Sequence, residues 1–157
     1  MDAALHPIES ATFPSLEVLG GDNFSGRTAS LKDFTKEKNN PYLGPDVKPA
    51  ITGFFESVEN EIRFGCGQNA ERWKIISEVA EELGLSDAWH QNPFKRELSG
   101  GQECLVAILA KLGAAPKRLA LDVCVEHLHS PIRLRLYDLI ASRFPATSCK
   151  VVDNRSL

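Results

Sequence analysis

The chain of 157 residues carries 18 Lys+Arg against 21 Asp+Glu, with 43% hydrophobic and 25% charged residues, the proportions of an ordinary soluble domain that can bury a core without metal or disulfide scaffolding. A formal net charge of −3 and the lack of a long basic run argue against a nucleic-acid binder that works by neutralising phosphates. No window approaches about 18 consecutive apolar residues, and the start MDAALHPIESATF lacks the basic and apolar regions of a secretory signal, so a cytosolic protein is expected.

In chain order, Ser15 to Leu19 reads as a short strand running into Gly20 and Gly21. Thr28 to Lys38 is expected to be a helix, broken into turns by Asn39, Asn40, Pro41, Gly44, Pro45 and Pro49. Ser57 to Arg63 opens on a Ser followed by glutamates, read as a capping-box start to a short helix. Ala70 to Leu83 places Trp73, Ile76, Val79, Ala80 and Leu83 at helical spacing before Gly84, and Gln102 to Leu112 repeats the pattern. Arg118 to Val123 reads as a buried strand. Ser130-Pro131 gives an N-cap and a first-turn proline to a helix ending near Phe144, with Arg133 and Arg135 on its polar face. Cys149 to Asp153 forms the last strand. Alternating strands and helices imply an α/β fold with a mainly parallel sheet. Cys66, Cys104, Cys124 and Cys149 stand singly, which reads as four reduced structural thiols.

Two strings carry chemistry. Gly21-Asp22-Asn23-Phe24-Ser25-Gly26-Arg27-Thr28 lies between a strand and a helix and departs from the phosphate-loop pattern GxxxxGK[ST] only at Arg27. In that pattern the glycines let backbone N–H groups wrap a phosphate, the helix N-terminus adds positive potential, and a Ser or Thr hydroxyl holds Mg²⁺. The string alone fits a tight strand-to-helix turn equally well. The second string, Leu98-Ser99-Gly100-Gly101-Gln102, opens an apolar helix; a helix cap accounts for Ser99 and one glycine but not for all five residues. Arg118-Leu119-Ala120-Leu121-Asp122 follows, an apolar strand ending in an acid that can hold Mg²⁺.

With these three features in one order, the sequence resembles the ATP-binding cassette (ABC) ATPases, whose signature is LSGGQ and whose Walker B strand follows it. Glu56 to Gly65 resembles a segment of the cobalt and energy-coupling-factor importer branch, Leu128 to Ile140 resembles the stretch from the D-loop into the next helix, and Val151 to Arg155 resembles the strand before the switch histidine. The resemblance implies a P-loop NTPase core over 14–49 and 99–157 and a small helical subdomain over 50–98 that carries the signature, within one nucleotide-binding domain spanning 1–157.

It also implies that Gly21, Asn23, Ser25, Gly26, Arg27 and Thr28 bind ATP, and that Thr28 and Asp122 hold Mg²⁺. Leu98, Ser99, Gly100, Gly101 and Gln102 would face ATP held by a second ABC ATPase subunit, and an integral membrane transporter subunit would complete a complex at the cytoplasmic face of the membrane. The DNA-associated ATPases with this signature carry long coiled coils, which are absent here, so no nucleic-acid partner is expected.

The departures define the rest of the expectation. Arg27 replaces the usual Lys, Val123 occupies the place of the glutamate that polarises water, Asn154 that of the switch histidine, and His129 that of the D-loop Asp; Pro45 falls near the expected glutamine. Valine cannot accept a proton; Glu126, three residues on, reads either as a solvated loop carboxylate or as a carboxylate that could reach the water. A subunit with weak or no hydrolysis of its own is therefore expected, completing a partner's site; the alternative is a structural or regulatory relative, shortened, that no longer binds ATP.

Overall fold

The computed structural model describes residues 15–20, 26–93 and 97–154. These divide into two units, one made of the parts up to Pro45 and from Pro116 onward, the other of Asp46–Ala115.

The first unit is a four-stranded sheet of β1 (Leu16–Leu19), β2 (Tyr42–Leu43), β3 (Arg118–Asp122) and β4 (Ser148–Val152) in the order β1-β4-β3-β2. Every pairing is parallel, with Leu19 beside Val152, Val152 beside Asp122, and Leu43 beside Leu121. All the strands therefore end at one edge. Leu119 to Asp122 are buried without alternation, the pattern of a parallel strand covered on both faces. Helix α1 (Arg27–Phe34) packs on β3 through Leu31, which meets Ala120 and Val152. It stops at Phe34, short of the expected Lys38: Thr35 is the C-cap, its φ of −109 and ψ of 17 lie off the helix, and its hydroxyl also bonds to the Leu31 carbonyl at 3.0 Å. Strand β2 falls where only turns are expected: two residues between Pro41 and Gly44 show no periodicity, and their extended form comes from pairing with β3.

The helix α5 (Ser130–Arg143) packs on β1. His129, not Ser130, is its N-cap, and Ser130 Oγ instead accepts a bond from Arg133 Nη2 at 3.4 Å. Arg133 corrects the expectation most sharply, because it is 0% exposed rather than on a solvated face.

The second unit holds α2 (Val58–Cys66), α3 (Ala70–Glu82) and α4 (Gly100–Gly113). By contact α4 groups with these helices, whereas the sequence reading assigns 99–157 to the core; its apolar residues pack chiefly on α2 and α3. Ser57 Oγ accepts from Asn60 N at 3.2 Å. The third residue after Ser57 is Asn60 rather than Glu, so this cap is one-sided and no capping box forms. Glu61 is buried instead, accepting from Thr52 N at 3.1 Å, Thr52 Oγ1 at 2.9 Å and Gly53 N at 3.4 Å, which ties the preceding loop to α2. Trp73 and Trp89 stack with ring centres 5.8 Å apart, and Trp89 Nε1 donates to Glu59 Oε2 at 2.8 Å. Among the described residues no helix is long and apolar enough to cross a membrane.

All four cysteines are free and buried. Burial pushes the Cys149 thiol up to about 12, whereas the unfolded thiol titrates near about 8.5. Above about pH 8.5 the unfolded chain thus releases a proton that the folded chain keeps, so Cys149 lowers stability as pH rises through that window. Native protein at pH 8 is expected to give no rapid reaction with a thiol reagent and to release four reactive thiols on unfolding. A Cys149→Ala variant should show a shallower alkaline loss of stability in denaturant titrations.

Candidate functional site

Open parallel sheets bind ligands outside the carboxyl ends of their strands. Here that edge carries a cavity of about 540 Å³, lined by Arg27, Thr28, Asp122, Val123, Glu126 and Asn154 together with residues of the β2 end. Of the expected own-site residues, Arg27, Thr28, Asp122 and Glu126 thus line one cavity of the sheet unit, with Asn154, at the switch-histidine position, beside them. Gly21, Asn23 and Ser25 lie outside the described residues.

Each wall follows from local geometry. Gly26 adopts φ +72, a left-handed conformation that glycine takes without a Cβ clash, and starts α1 so that Arg27 and Thr28 occupy its first turn. The Arg27 guanidinium donates from Nη1 to the Gly20 carbonyl at 2.6 Å and from Nη2 to Asn154 Oδ1 at 3.4 Å, bridging the ends of β1 and β4. A compact ammonium could not span both acceptors with one planar fork.

Asp122 ends β3 and is 3% exposed. Its Oδ2 accepts from Thr28 Oγ1 at 2.8 Å and from the Tyr42 hydroxyl at 2.5 Å. Burial, and then the hydrogen bond to and charge of Asp122, push the Tyr42 hydroxyl above its ordinary value, so it is a donor at neutral pH. Sequence reading did not single out Tyr42 as a site residue. It reaches Asp122 only through the β2–β3 pairing, and its one signal is its place at the loop expected to bear glutamine.

Val123 takes φ +69, a strained conformation for a β-branched residue, and its N–H bonds to the Val152 carbonyl at 2.9 Å. The reversal leads into a 3₁₀ turn at Cys124–His127 in which Cys124 and Val125 are buried and Glu126 lines the cavity. His127 and His129 are exposed, and no group of three or more His, Cys, Asp or Glu able to hold a metal occurs among the described residues.

Behind the cavity, Arg133 Nη1 donates to Asp153 Oδ1 at 2.9 Å and Oδ2 at 2.7 Å, and the Tyr137 hydroxyl donates to Oδ2 at 2.7 Å. Asp153 N bonds to the Leu19 carbonyl at 2.9 Å, so this buried network fixes the end of β4 from which Asn154 enters the cavity.

In the helical unit, the 98–102 string forms the start of α4. Ser99 Oγ accepts from Gln102 N at 3.1 Å and Gln102 Oε1 accepts from Ser99 N at 2.9 Å, a complete capping box. Local structure therefore accounts for Ser99 and Gln102, where sequence reading credits the cap with Ser99 and one glycine. Leu98 is buried. Gly100 and Gly101, both in the first turn, are what the cap leaves unexplained.

No family model matches the chain. Among curated proteins, an ABC transporter ATP-binding protein of Escherichia coli is 37% identical over 84 residues, covering 54% of this chain and 37% of that protein. An energy-coupling factor transporter ATP-binding protein of Lactococcus lactis subsp. lactis is 38% identical over 95 residues, covering 57% and 32%. A further one, of Thermotoga maritima, is 28% identical over 149 residues, covering 80% and 56%. The chain thus spans from about a third to about half of the length of these relatives. A solved inward-facing ABC transporter matches 89% of this chain and 62% of its own with a TM-score of 0.57 at 16% identity, a likeness of fold.

Proposed function

This chain is a relative of the ABC transporter ATP-binding proteins, and from that premise we propose that it binds Mg-ATP at the carboxyl edge of its sheet with weak or no hydrolysis of its own. The observation that carries this reading is the Thr28–Asp122 pair beside the first turn of α1. A hydroxyl and a carboxylate are hard oxygen donors suited to Mg²⁺, which is commonly held by one or two carboxylates plus substrate phosphates. The α1 N-terminus and Arg27 supply positive charge toward an anion. When bound, Mg²⁺ would neutralise phosphate charge. Thr28 and Asp122 would hold it, and Gly26 and Arg27 would contact the phosphates. Val123 leaves no proton acceptor directly after Asp122, which supports low turnover; Glu126 is the one carboxylate besides Asp122 among the described residues lining the cavity.

On the same reading, Gly100 and Gly101 give a partner ATPase's nucleotide close backbone approach at the N-terminus of α4, and Ser99 faces it alongside them. This chain then completes the site of a second ATPase subunit, and the pair acts on a membrane transporter subunit from the cytoplasmic face. A second reading, a relative that no longer binds ATP, draws support from the engagement of Arg27 by Gly20 and Asn154.

A fluorescent-ATP titration with Mg²⁺ separates the two. Saturable binding is expected for the wild type, with Thr28→Ala and Asp122→Asn each weakening the Mg²⁺-dependent part by about 10–100-fold. Equal binding by all three proteins contradicts the assignment.

A further inference from the structure

We infer that Tyr42 is a positioning residue that competes with the cation for Asp122, so that this chain takes a divalent ion weakly unless the end of β2 gives way. The inference rests on the nucleotide reading above and deepens it.

A carboxylate oxygen offers two in-plane lone-pair directions. On Asp122 Oδ2 both are used, one by Thr28 Oγ1 at 2.8 Å and one by the Tyr42 hydroxyl at 2.5 Å. The two donors come from different elements, the first turn of α1 and the edge strand β2. A cation held by Thr28 Oγ1 lies on the Oδ2 side of the carboxylate, to which that hydroxyl is bonded; there a hydrated Mg²⁺ asks Oδ2 to accept from its water, and a directly bound one needs a bare lone pair. Either arrangement conflicts with the tyrosine donor but not with the threonine, whose remaining lone pairs can face a cation while its hydrogen stays on Asp122.

The tyrosine has a second consequence. Asp122 is 3% exposed, and an ionised carboxylate buried to that degree is costly unless its oxygens are bonded. Two hydroxyl donors satisfy Oδ2 without any cation, so the site holds its shape in the cation-free protein. The ring is held independently of the hydroxyl: the Lys32 ammonium lies 5.3 Å from its centre, and the ring packs against the Leu31, Ala120 and Val152 cluster. Tyr42→Phe therefore removes the competing donor and leaves the packing.

The test is the affinity for Mn²⁺ at saturating ATP, read from the loss of the free aqua-ion signal in electron paramagnetic resonance, for wild type and Tyr42→Phe. ATP binding in EDTA is measured beside it, and both proteins are repeated in an Asp122→Asn background. Tyr42→Phe is expected to bind Mn²⁺ about tenfold more tightly, the scale of one hydrogen bond to a charged group, and the gain should vanish with Asn at 122. Unchanged or weaker Mn²⁺ binding in proteins that bind ATP overturns the role of Tyr42 alone, as does a gain that persists with Asn at 122. Failure of both proteins to bind ATP, with or without Mn²⁺, overturns the nucleotide reading and this inference with it.

Discussion

Arg133→Ala should cost about 3–5 kcal/mol of stability and lower the melting temperature by about 10 °C. Arg133 and Asp153 are 0% and 1% exposed, and the guanidinium meets both carboxylate oxygens. Removing the arginine takes both guanidinium bonds from a buried carboxylate that keeps the hydroxyl of Tyr137, which burial and Asp153 push well above its ordinary value. The large cost is that of the orphaned charge rather than the net worth of the pair. The triple change Arg133→Met, Asp153→Leu and Tyr137→Phe replaces the network with apolar volume and should recover most of the loss in a denaturant titration. An equal loss for the single and triple variants would mean that packing, not charge, dominates at this position. The network also holds the end of β4 through the Asp153 bond to Leu19, so Arg133→Ala should weaken nucleotide binding even where the chain stays folded.

Gly65→Ala is the second large effect. A Cβ at position 65 would lie 2.1 Å from the Ala110 carbonyl oxygen, and backbone on α4 cannot move aside as a flexible side chain can. The helices α2 and α4 touch through small residues at this crossing, with Gly113 also close to Cys66, where an added Cβ would come within 2.8 Å of Sγ. A loss at or above the upper end of the about 1–3 kcal/mol range for overpacking is expected. Gly84→Ala is the contrast: its φ of +76 costs about 1–2 kcal/mol of left-handed strain, but no atom lies within 4 Å. If the two variants unfold alike, the close approach of α2 and α4 is not what requires Gly65.

The long helices were legible because their apolar residues recur with a period near 3.6 over three or more turns, as at Ile76, Val79 and Ala80. Strand β2 was not, since two residues carry no period and its pairing is decided across the sheet. Arg133 was misread for a different reason. It stands three, four and seven residues before Leu136, Tyr137 and Ile140, all buried, so the spacing places it on the core face, and only its charge suggested otherwise. The same split runs through the cavity. Gly26, Arg27, Thr28 and Asp122 announce themselves in motifs, while Tyr42 reaches Asp122 by a register no motif records. At 99–102 the motif mixes two demands, a capping box that needs Ser99 and Gln102 and a pair of glycines that the cap does not need.

On the proposed function, this chain is expected to hold Mg-ATP but to turn it over little. Incubating the purified chain with Mg²⁺ and γ-labelled ATP, then measuring bound nucleotide and released phosphate in the same samples, tests both halves. Saturable binding with phosphate release near the buffer background is the expected result. Absence of binding, or release at the ordinary enzymatic rate of about 1 per second or faster, contradicts it.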